Sequence, residues 1–133
     1  SYVSIDGTKL FWVGERTGSV FSIDLSIPFD LTSANGGGKT FYVGGQDTLP
    51  SGMDFSDDGT KMYISGMRSG KVYVYELSRG FDLDTARFTG ETLDLNKYDA
   101  IISSVHVSTD GKRLFAMGTN KGRVIPFDLT DGL

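Results

Sequence analysis

The chain has 133 residues with a formal net charge of −4, and acids and bases are interspersed along it. This pattern leaves no basic run to neutralise a phosphate backbone, so nucleic acid is not expected as a partner. Zero cysteines exclude disulfides and thiolate metal sites, and without an apolar stretch of about 20 residues no membrane insertion is predicted.

The sequence contains three copies of one repeat. The dipeptides Asp6-Gly7, Asp58-Gly59 and Asp110-Gly111 recur at a period of 52 residues. Further matches at the same period include Gly14, Gly66 and Gly118, then Val20, Val72 and Val124, then Leu25, Leu77 and Leu129. Glycine and aromatic residues of this abundance favour many short strands joined by tight turns, which predicts an all-β fold.

The second copy shows the predicted strands most clearly. Residues 52–56 and 61–66 read as a hairpin, and residues 71–77 as a third strand that is apolar on both faces. Residues 78–86 are predicted as a loop or a single helical turn capped by Asp82 or Asp84, followed by a fourth strand over 91–95. Four antiparallel strands buried on both faces are typical of a β-propeller blade.

We therefore predict an all-β β-propeller segment of three tandem blades over residues 1–133. Blade 1 covers 1–45, blade 2 covers 52–95 and blade 3 covers 103–133, with the last blade lacking its outer strand. Pro126 lies in the last predicted strand, and proline is best tolerated at a sheet edge. Three blades cannot close a ring, so we expect either more polypeptide or a second copy, and a homodimer would give six blades.

Aromatic and aliphatic stripes recur at the repeat period. They are Phe21 with Ile23, Tyr73 with Tyr75, and Ile125 with Phe127. Because a ligand cage need not repeat, we expect these stripes to form the cores between blades.

The second copy resembles a bacterial and phage β-propeller repeat family. The resemblance rests on F-S-D-D-G-T-K-M-Y over 55–63, V-Y-V-Y-E-L-S over 72–78 and F-D-L-D-T-A over 81–86, with matching segments over 26–34 and 46–52. Residues 96–102 depart from the family's lead-in motif. The family is similar in outline to the YVTN and NHL-like propellers. The resemblance implies the propeller fold, with attachment or binding in a virion (phage tail or fibre) or a secreted protein, hence an extracellular or virion location.

Three motifs that suggest chemistry have simpler explanations. Residues 54–59 follow the opening of a calcium loop, but Ser65 stands where a bidentate Glu belongs, and tight turns explain the Asp-Gly pairs. His106 is the only histidine, so we expect a structural role for it. The Gly-rich segment 35–40 opens a strand, whereas a phosphate loop opens a helix. No catalytic residue, metal or cofactor is predicted.

The loops at one end of the blades differ between repeats and are polar, which favours a recognition surface. The predicted ligand-binding residues there are Arg16, Arg68, Lys121, Gln46, Asp47, Lys97 and Tyr98. Each blade carries one basic side chain here, which suggests that the ligand is an anionic group on a protein or glycan surface. The alternative interpretation is that these are ordinary solvated charges on turns.

A non-enzymatic binding or structural module is our first functional prediction. The alternatives are a lactonase-like propeller hydrolase and an intracellular scaffold. The metal ligands of such a hydrolase would come from several blades, and because the inner strands here offer only Asp54 and His106, its sites would lie in blades outside this sequence.

Overall fold

The computed structural model describes residues 1–129, which form three antiparallel sheets in chain order. The first sheet contains β1 (Tyr2–Val3), β2 (Lys9–Gly14), β3 (Ser19–Asp24) and β4 (Lys39–Tyr42). The second contains β5 (Pro50–Phe55), β6 (Lys61–Gly66), β7 (Lys71–Leu77) and β8 (Ala86–Asp94). The third contains β9 (Ile102–Val107), β10 (Arg113–Gly118) and β11 (Arg123–Asp128). In each sheet, neighbouring strands follow one another in sequence.

The predicted strands 61–66 and 71–77 coincide with β6 and β7. The prediction for β8 was too short, since this strand begins at Ala86 and the 3₁₀ turn Leu83–Thr85 is all that separates it from the preceding loop. The pairing of β8 with β7 shifts register between Tyr73 and Tyr75, and Gly90, which has a positive φ of 89°, lies between Phe88 and Thr92, the partners of these two tyrosines. Asp82 caps the 3₁₀ turn by accepting from the backbone N–H of Asp84.

The Asp-Gly pairs form the turns that close the first hairpin of each sheet. Asp58 Oδ1 accepts from the backbone N–H of Thr60 at 3.0 Å, and Gly59 adopts a φ of 71°. Asp6 and Asp110 make the same backbone contact one residue beyond their glycines. Hydrogen bonds from the Thr60 side chain and backbone lower the pKa of Asp58. The prediction that aspartate folds onto its own backbone here is confirmed.

The second sheet is covered by a sheet on each face. Tyr73, Tyr75 and Leu77 pack in a core shared with Phe11 and Val20 of the first sheet. On the opposite face, Val72 and Val74 pack in a core that includes residues of the third sheet: Ile102, Val105, Val107, Leu114, Ala116 and Ile125. Because side chains alternate along a strand, one strand serves both cores. The prediction of two apolar faces on β7 is confirmed.

An aromatic cluster joins the first two sheets. Phe55 of the second sheet lies 4.7 Å from Phe11 and 5.0 Å from Tyr2 of the first, measured between ring centroids. Phe81 completes the cluster from a backbone with a φ of 62°, which is unusual for a residue with a side chain. Its ring lies over Gly59. A Cβ at position 59 would collide with this ring, so Phe81 can pack here only against a glycine.

A salt bridge also links the outer parts of these two sheets. The Gly-rich loop 35–38 leads into β4, as expected for a connection that opens a strand. At the start of β4, Lys39 Nζ lies 2.7 Å from Asp82 Oδ1 and 3.0 Å from Asp84 Oδ2 of the second sheet.

Within residues 1–129 no helix is long and apolar enough to cross a membrane.

The outermost described sheets correct one sequence prediction. Phe21 and Ile23 were expected in a core between blades, but both are only half-buried. They lie on the face of the first sheet that no other described sheet covers. Phe21 instead stacks on Trp12 of the same sheet, with ring centroids 5.4 Å apart.

In the third sheet, Pro126 lies in β11, which is an edge strand. The end of predicted blade 3, residues 130–133, lies outside the described residues.

The inner strands β5 and β9 approach each other closely. Ser51 Oγ donates to the carbonyl oxygen of Ile102 at 2.7 Å. Beside it, an ideal Cβ on Gly52 would lie 2.7 Å from the backbone Cα of Ser104 and 2.9 Å from Ser65 Oγ. A glycine is therefore required between the second and third sheets.

We predict that Gly52→Ala lowers the free energy of unfolding by about 2 kcal/mol, because the backbone of β9 must shift to admit one methyl group. Urea denaturation followed by circular dichroism measures this. Gly36→Ala is the matched control, since nothing lies within 4 Å of a Cβ there. Equal stability of the two variants would contradict the close approach of β5 and β9.

Candidate functional site

The candidate site lies at one end of the three sheets, where two kinds of connection meet. These are the β2–β3, β6–β7 and β10–β11 turns and the β4–β5 and β8–β9 loops, which we call the basic face. Because neighbouring strands are antiparallel, alternate connections must lie at the same end of a sheet. The predicted ligand-binding residues all lie in these connections.

Asp47 fixes one turn of the basic face. Its side chain is buried, with Oδ1 accepting from the backbone N–H of Leu49 at 2.7 Å and Oδ2 from that of Ser69 at 2.8 Å. The carboxylate therefore ties the β4–β5 loop to the β6–β7 turn. Asp47 is one of the predicted ligand-binding residues, but in the structure it holds two backbone segments together.

Asp99 repeats this arrangement one period later. Its oxygens accept from the backbone N–H groups of Ile101 at 2.9 Å and Lys121 at 2.7 Å. Burial acts to raise the pKa of Asp99, but hydrogen bonds from three backbone N–H groups and the nearby Lys121 charge outweigh it and lower the pKa below its ordinary value. Two loops of the basic face are thus held by buried carboxylates.

Gln46 and Tyr98, which occupy equivalent positions, also support the fold. Gln46 Oε1 accepts from the hydroxyl of Tyr75, whose pKa is raised by burial. Tyr98 is half-buried against the core between the second and third sheets. Lys97 Nζ lies 4.9 Å from the centroid of the Tyr98 ring, a cation–π contact that leaves the ammonium group in solvent.

The basic side chains are the exposed members of the predicted set. Arg16, Arg68, Lys97 and Lys121 are all exposed. Arg16 and Arg68 are equivalent by the repeat, whereas Lys121 follows the equivalent position by one residue and its backbone N–H binds Asp99. None of the ion pairs formed among residues 1–129 involves these four bases.

The opposite end of the sheets has a different electrostatic character. The ion pairs at this end join Lys9 with Asp24, Lys39 with both Asp82 and Asp84, Arg79 with Asp82, and Arg87 with Glu76. The four exposed bases of the basic face take part in none of these ion pairs, and the exposed acids at that face are Glu15 and Asp94.

Two tyrosines accompany the bases. Tyr42 is exposed at the end of β4, with its ring against Gly18 and Gly44. Tyr98 lies beside Lys97 on the β8–β9 loop. Aromatic rings with a polar tip beside exposed cations form a surface suited to sugars that carry acidic groups.

A second polar contact lies on the inner strands. Asp54 Oδ2 accepts from the backbone N–H of Val107 at 2.7 Å and lies 3.0 Å from His106 Nδ1. The Asp54 side chain is 9% exposed, whereas that of His106 is 74% exposed. The charge of Asp54, after burial, contributes to the raised pKa of Tyr2, the equivalent residue of the first sheet. A largely exposed imidazole therefore lies against a buried carboxylate.

The predicted role of His106 is structural, and its contact with Asp54 is not part of that prediction. The signal was present, because Tyr2, Asp54 and His106 are separated by the 52-residue period. Equivalent positions on successive inner strands lie side by side. Within residues 1–129 no three His, Cys, Asp or Glu side chains are grouped as metal ligands.

Comparison with solved structures identifies the fold. The chain is similar to a Bacteroides fragilis protein described as a "putative 6-phosphogluconolactonase", with a TM-score of 0.69 and 14% identity over 96% of this chain and 33% of that chain. A Bacteroides uniformis protein with the same description gives a TM-score of 0.71 at 13% identity, covering 96% of this chain and 34% of that one. A functionally unknown protein from Desulfotomaculum acetoxidans gives 0.70 at 14%, covering 98% and 37%.

These likenesses show an all-β, propeller-type fold. The chain spans about a third of the length of the structures that it matches. No protein-family model matches the sequence, and a search of curated proteins finds no match.

We predict that Asp47→Ala lowers the free energy of unfolding by about 2 kcal/mol, because two backbone N–H groups lose their acceptor. Urea denaturation measures the loss, with the exposed neighbour substitution Thr48→Ala as the control. Unchanged stability of Asp47→Ala would show that the carboxylate does not hold the β6–β7 turn.

Proposed function

We propose that the chain is a non-enzymatic, propeller-type binding module whose basic face recognises an acidic glycan. The observation that carries this proposal is the set of exposed bases at one end of a chain with a net charge of −4. At the basic face Asp47 and Asp99 are buried against backbone N–H groups, so their carboxylates are not available to pair with these bases.

The rigidity of the loops supports recognition by preformed geometry. Asp47 and Asp99 each connect two segments, and Asn96 Nδ2 adds a hydrogen bond of 2.8 Å to the carbonyl oxygen of Ser69. A ligand that binds to fixed turns does not have to order them, which lowers the entropic cost of binding. The exposed ring of Tyr42 and the accessible part of the half-buried Tyr98 ring would contact sugar faces while the bases contact acidic groups.

The setting of this module is part of the proposal. The resemblance of the repeat to bacterial and phage propellers supports membership of that family and an extracellular or virion location. Attachment to a glycan-covered surface suits such a location, because several weak sites on one particle act together.

The proposal predicts that Arg16→Ala, Arg68→Ala and Lys121→Ala, combined in one variant, weaken binding of a heparin hexasaccharide about tenfold, since each exposed charge contributes about 0.5 kcal/mol. Isothermal titration calorimetry measures the affinity. Raising the ionic strength should weaken binding to the unmodified chain through screening.

The matched control removes three bases at the opposite end. It combines Arg79→Ala, Arg87→Ala and Lys112→Ala, so the net charge changes equally. An equal loss of affinity in both triple variants would indicate attraction by net charge alone and would contradict a site on the basic face. No binding by the unmodified chain would also contradict the proposal.

A hydrolase of lactones or other esters is the second candidate function, favoured by the contact between Asp54 and His106. Two structural neighbours are described as a "putative 6-phosphogluconolactonase", and a lactonase would belong to this class of hydrolase. In this function His106 Nε2 would take a proton from water as its oxygen attacks the carbonyl carbon, and would return the proton to the departing alkoxide. Asp54 would hold the imidazole ring by accepting from Nδ1–H.

If this second function holds, His106→Ala lowers the rate of p-nitrophenyl acetate hydrolysis about 100-fold, the typical contribution of a positioned general base. His106→Gln, which keeps a polar group without a base, should be equally slow. Rates for the unmodified chain that equal those of both variants would exclude hydrolysis by this pair.

A further inference from the structure

Two sheet faces at the ends of the described chain are exposed, although the equivalent faces between the described sheets are buried. The first, which we call the leading face, is the side of the first sheet opposite the second sheet. It carries Val3, Leu10, Trp12, Phe21, Ile23, Phe29 and Leu31. The second, the trailing face, is the side of the third sheet opposite the second sheet, and it carries His106, Phe115, Met117, Val124 and Pro126.

Residues of the leading face are exposed, whereas the equivalent residues one repeat later are packed against a neighbouring sheet. Leu31 is 62% exposed, whereas Leu83, one period later, is 2% exposed in the core between the first and second sheets. Phe29 is 67% exposed, yet it shares the unusual φ of 62° with Phe81, which packs into the aromatic cluster. Phe29 is therefore held in the conformation of a residue that packs on a preceding sheet.

The trailing face shows the same contrast. Val124 is 55% exposed, whereas its equivalent Val72 is fully buried against the third sheet. Phe115 is equivalent to Tyr63, which lies in the same core. Both ends of the chain thus present surfaces with the pattern of an interior.

The two faces also carry matching halves of the observed contacts between sheets. Between the first and second sheets, the rings of Tyr2 and Phe11 pack against those of Phe55 and Phe81. On the trailing face the equivalents of Tyr2 and Phe11 are His106 and Phe115. On the leading face the equivalents of Phe55 and Phe81 are Val3 and Phe29.

We propose that the trailing face of one copy docks on the leading face of a second copy, and that two such contacts close a ring of two chains. The occupant is a second copy because this chain carries both complementary surfaces and repeats one interface geometry. A head-to-tail contact uses each face once, so closure of the ring covers the apolar side chains of both faces. The ring would place two basic faces around one axis.

Light scattering of the unmodified chain should give twice the chain mass of 14.4 kDa. Leu31→Glu on the leading face and Val124→Glu on the trailing face should each give a monomer, because each charge would be buried in both contacts. Both residues are exposed in the single chain, so circular dichroism should show that the variants remain folded. Ser78→Glu, an exposed site on neither face, is the control and should remain dimeric.

Mixing the two monomeric variants tests the head-to-tail geometry. The intact trailing face of Leu31→Glu and the intact leading face of Val124→Glu should form one contact and restore a dimer. A monomeric unmodified chain would overturn the proposal. Dimers that survive Val124→Glu, or a mixture that stays monomeric, would also overturn it, because they indicate a symmetric contact or none.

Discussion

The structure depends on one constraint, that each sheet is apolar on both faces. A sheet of this kind is unstable alone in water, since covering one face leaves the other exposed. Successive sheets meet the constraint by stacking, and β7 shows this directly with Tyr75 in one core and Val72 in the other. The local features follow from this stacking: Gly52 permits close approach, Phe81 adopts a strained backbone, and Lys39 bridges the outer parts.

The repeat and the strand pattern were predictable from sequence because both depend on local chemistry. The Asp-Gly turns need an aspartate that binds its own backbone and a glycine with positive φ, so they recur visibly as Asp6-Gly7 and Asp58-Gly59. The extent of β8 was not predictable, because its bulge depends on pairing with a neighbouring strand across Gly90. Burial of Phe21 was wrongly expected because the repeat shows the face of a sheet but not whether another sheet covers it.

The candidate site was partly predictable for a related reason. Exposed basic side chains on turns can be predicted from the sequence, since Arg16 and Arg68 occupy the same position in two successive repeats. The roles of Asp47 and Gln46 were not, because a polar residue in a variable loop looks the same whether it faces a ligand or a backbone N–H. Long-range contacts decide the difference, such as that between Asp47 and Ser69, which are 22 residues apart. The contact of Asp54 with His106 likewise exists only when two sheets are adjacent.

The pattern of charge has a structural cause at only one end of the sheets. The end opposite the basic face collects aspartates because its turns and 3₁₀ caps require them, as with Asp58 and Asp82. Much of the net charge of −4 therefore reflects turn chemistry rather than a ligand. At the basic face Asp47 and Asp99 also have structural roles, buried against N–H groups, and no backbone requirement accounts for the charges of Arg16, Arg68 and Lys97. A charge pattern that the fold does not require is the kind that binding explains, and for this reason the bases, rather than the acids, define the candidate site.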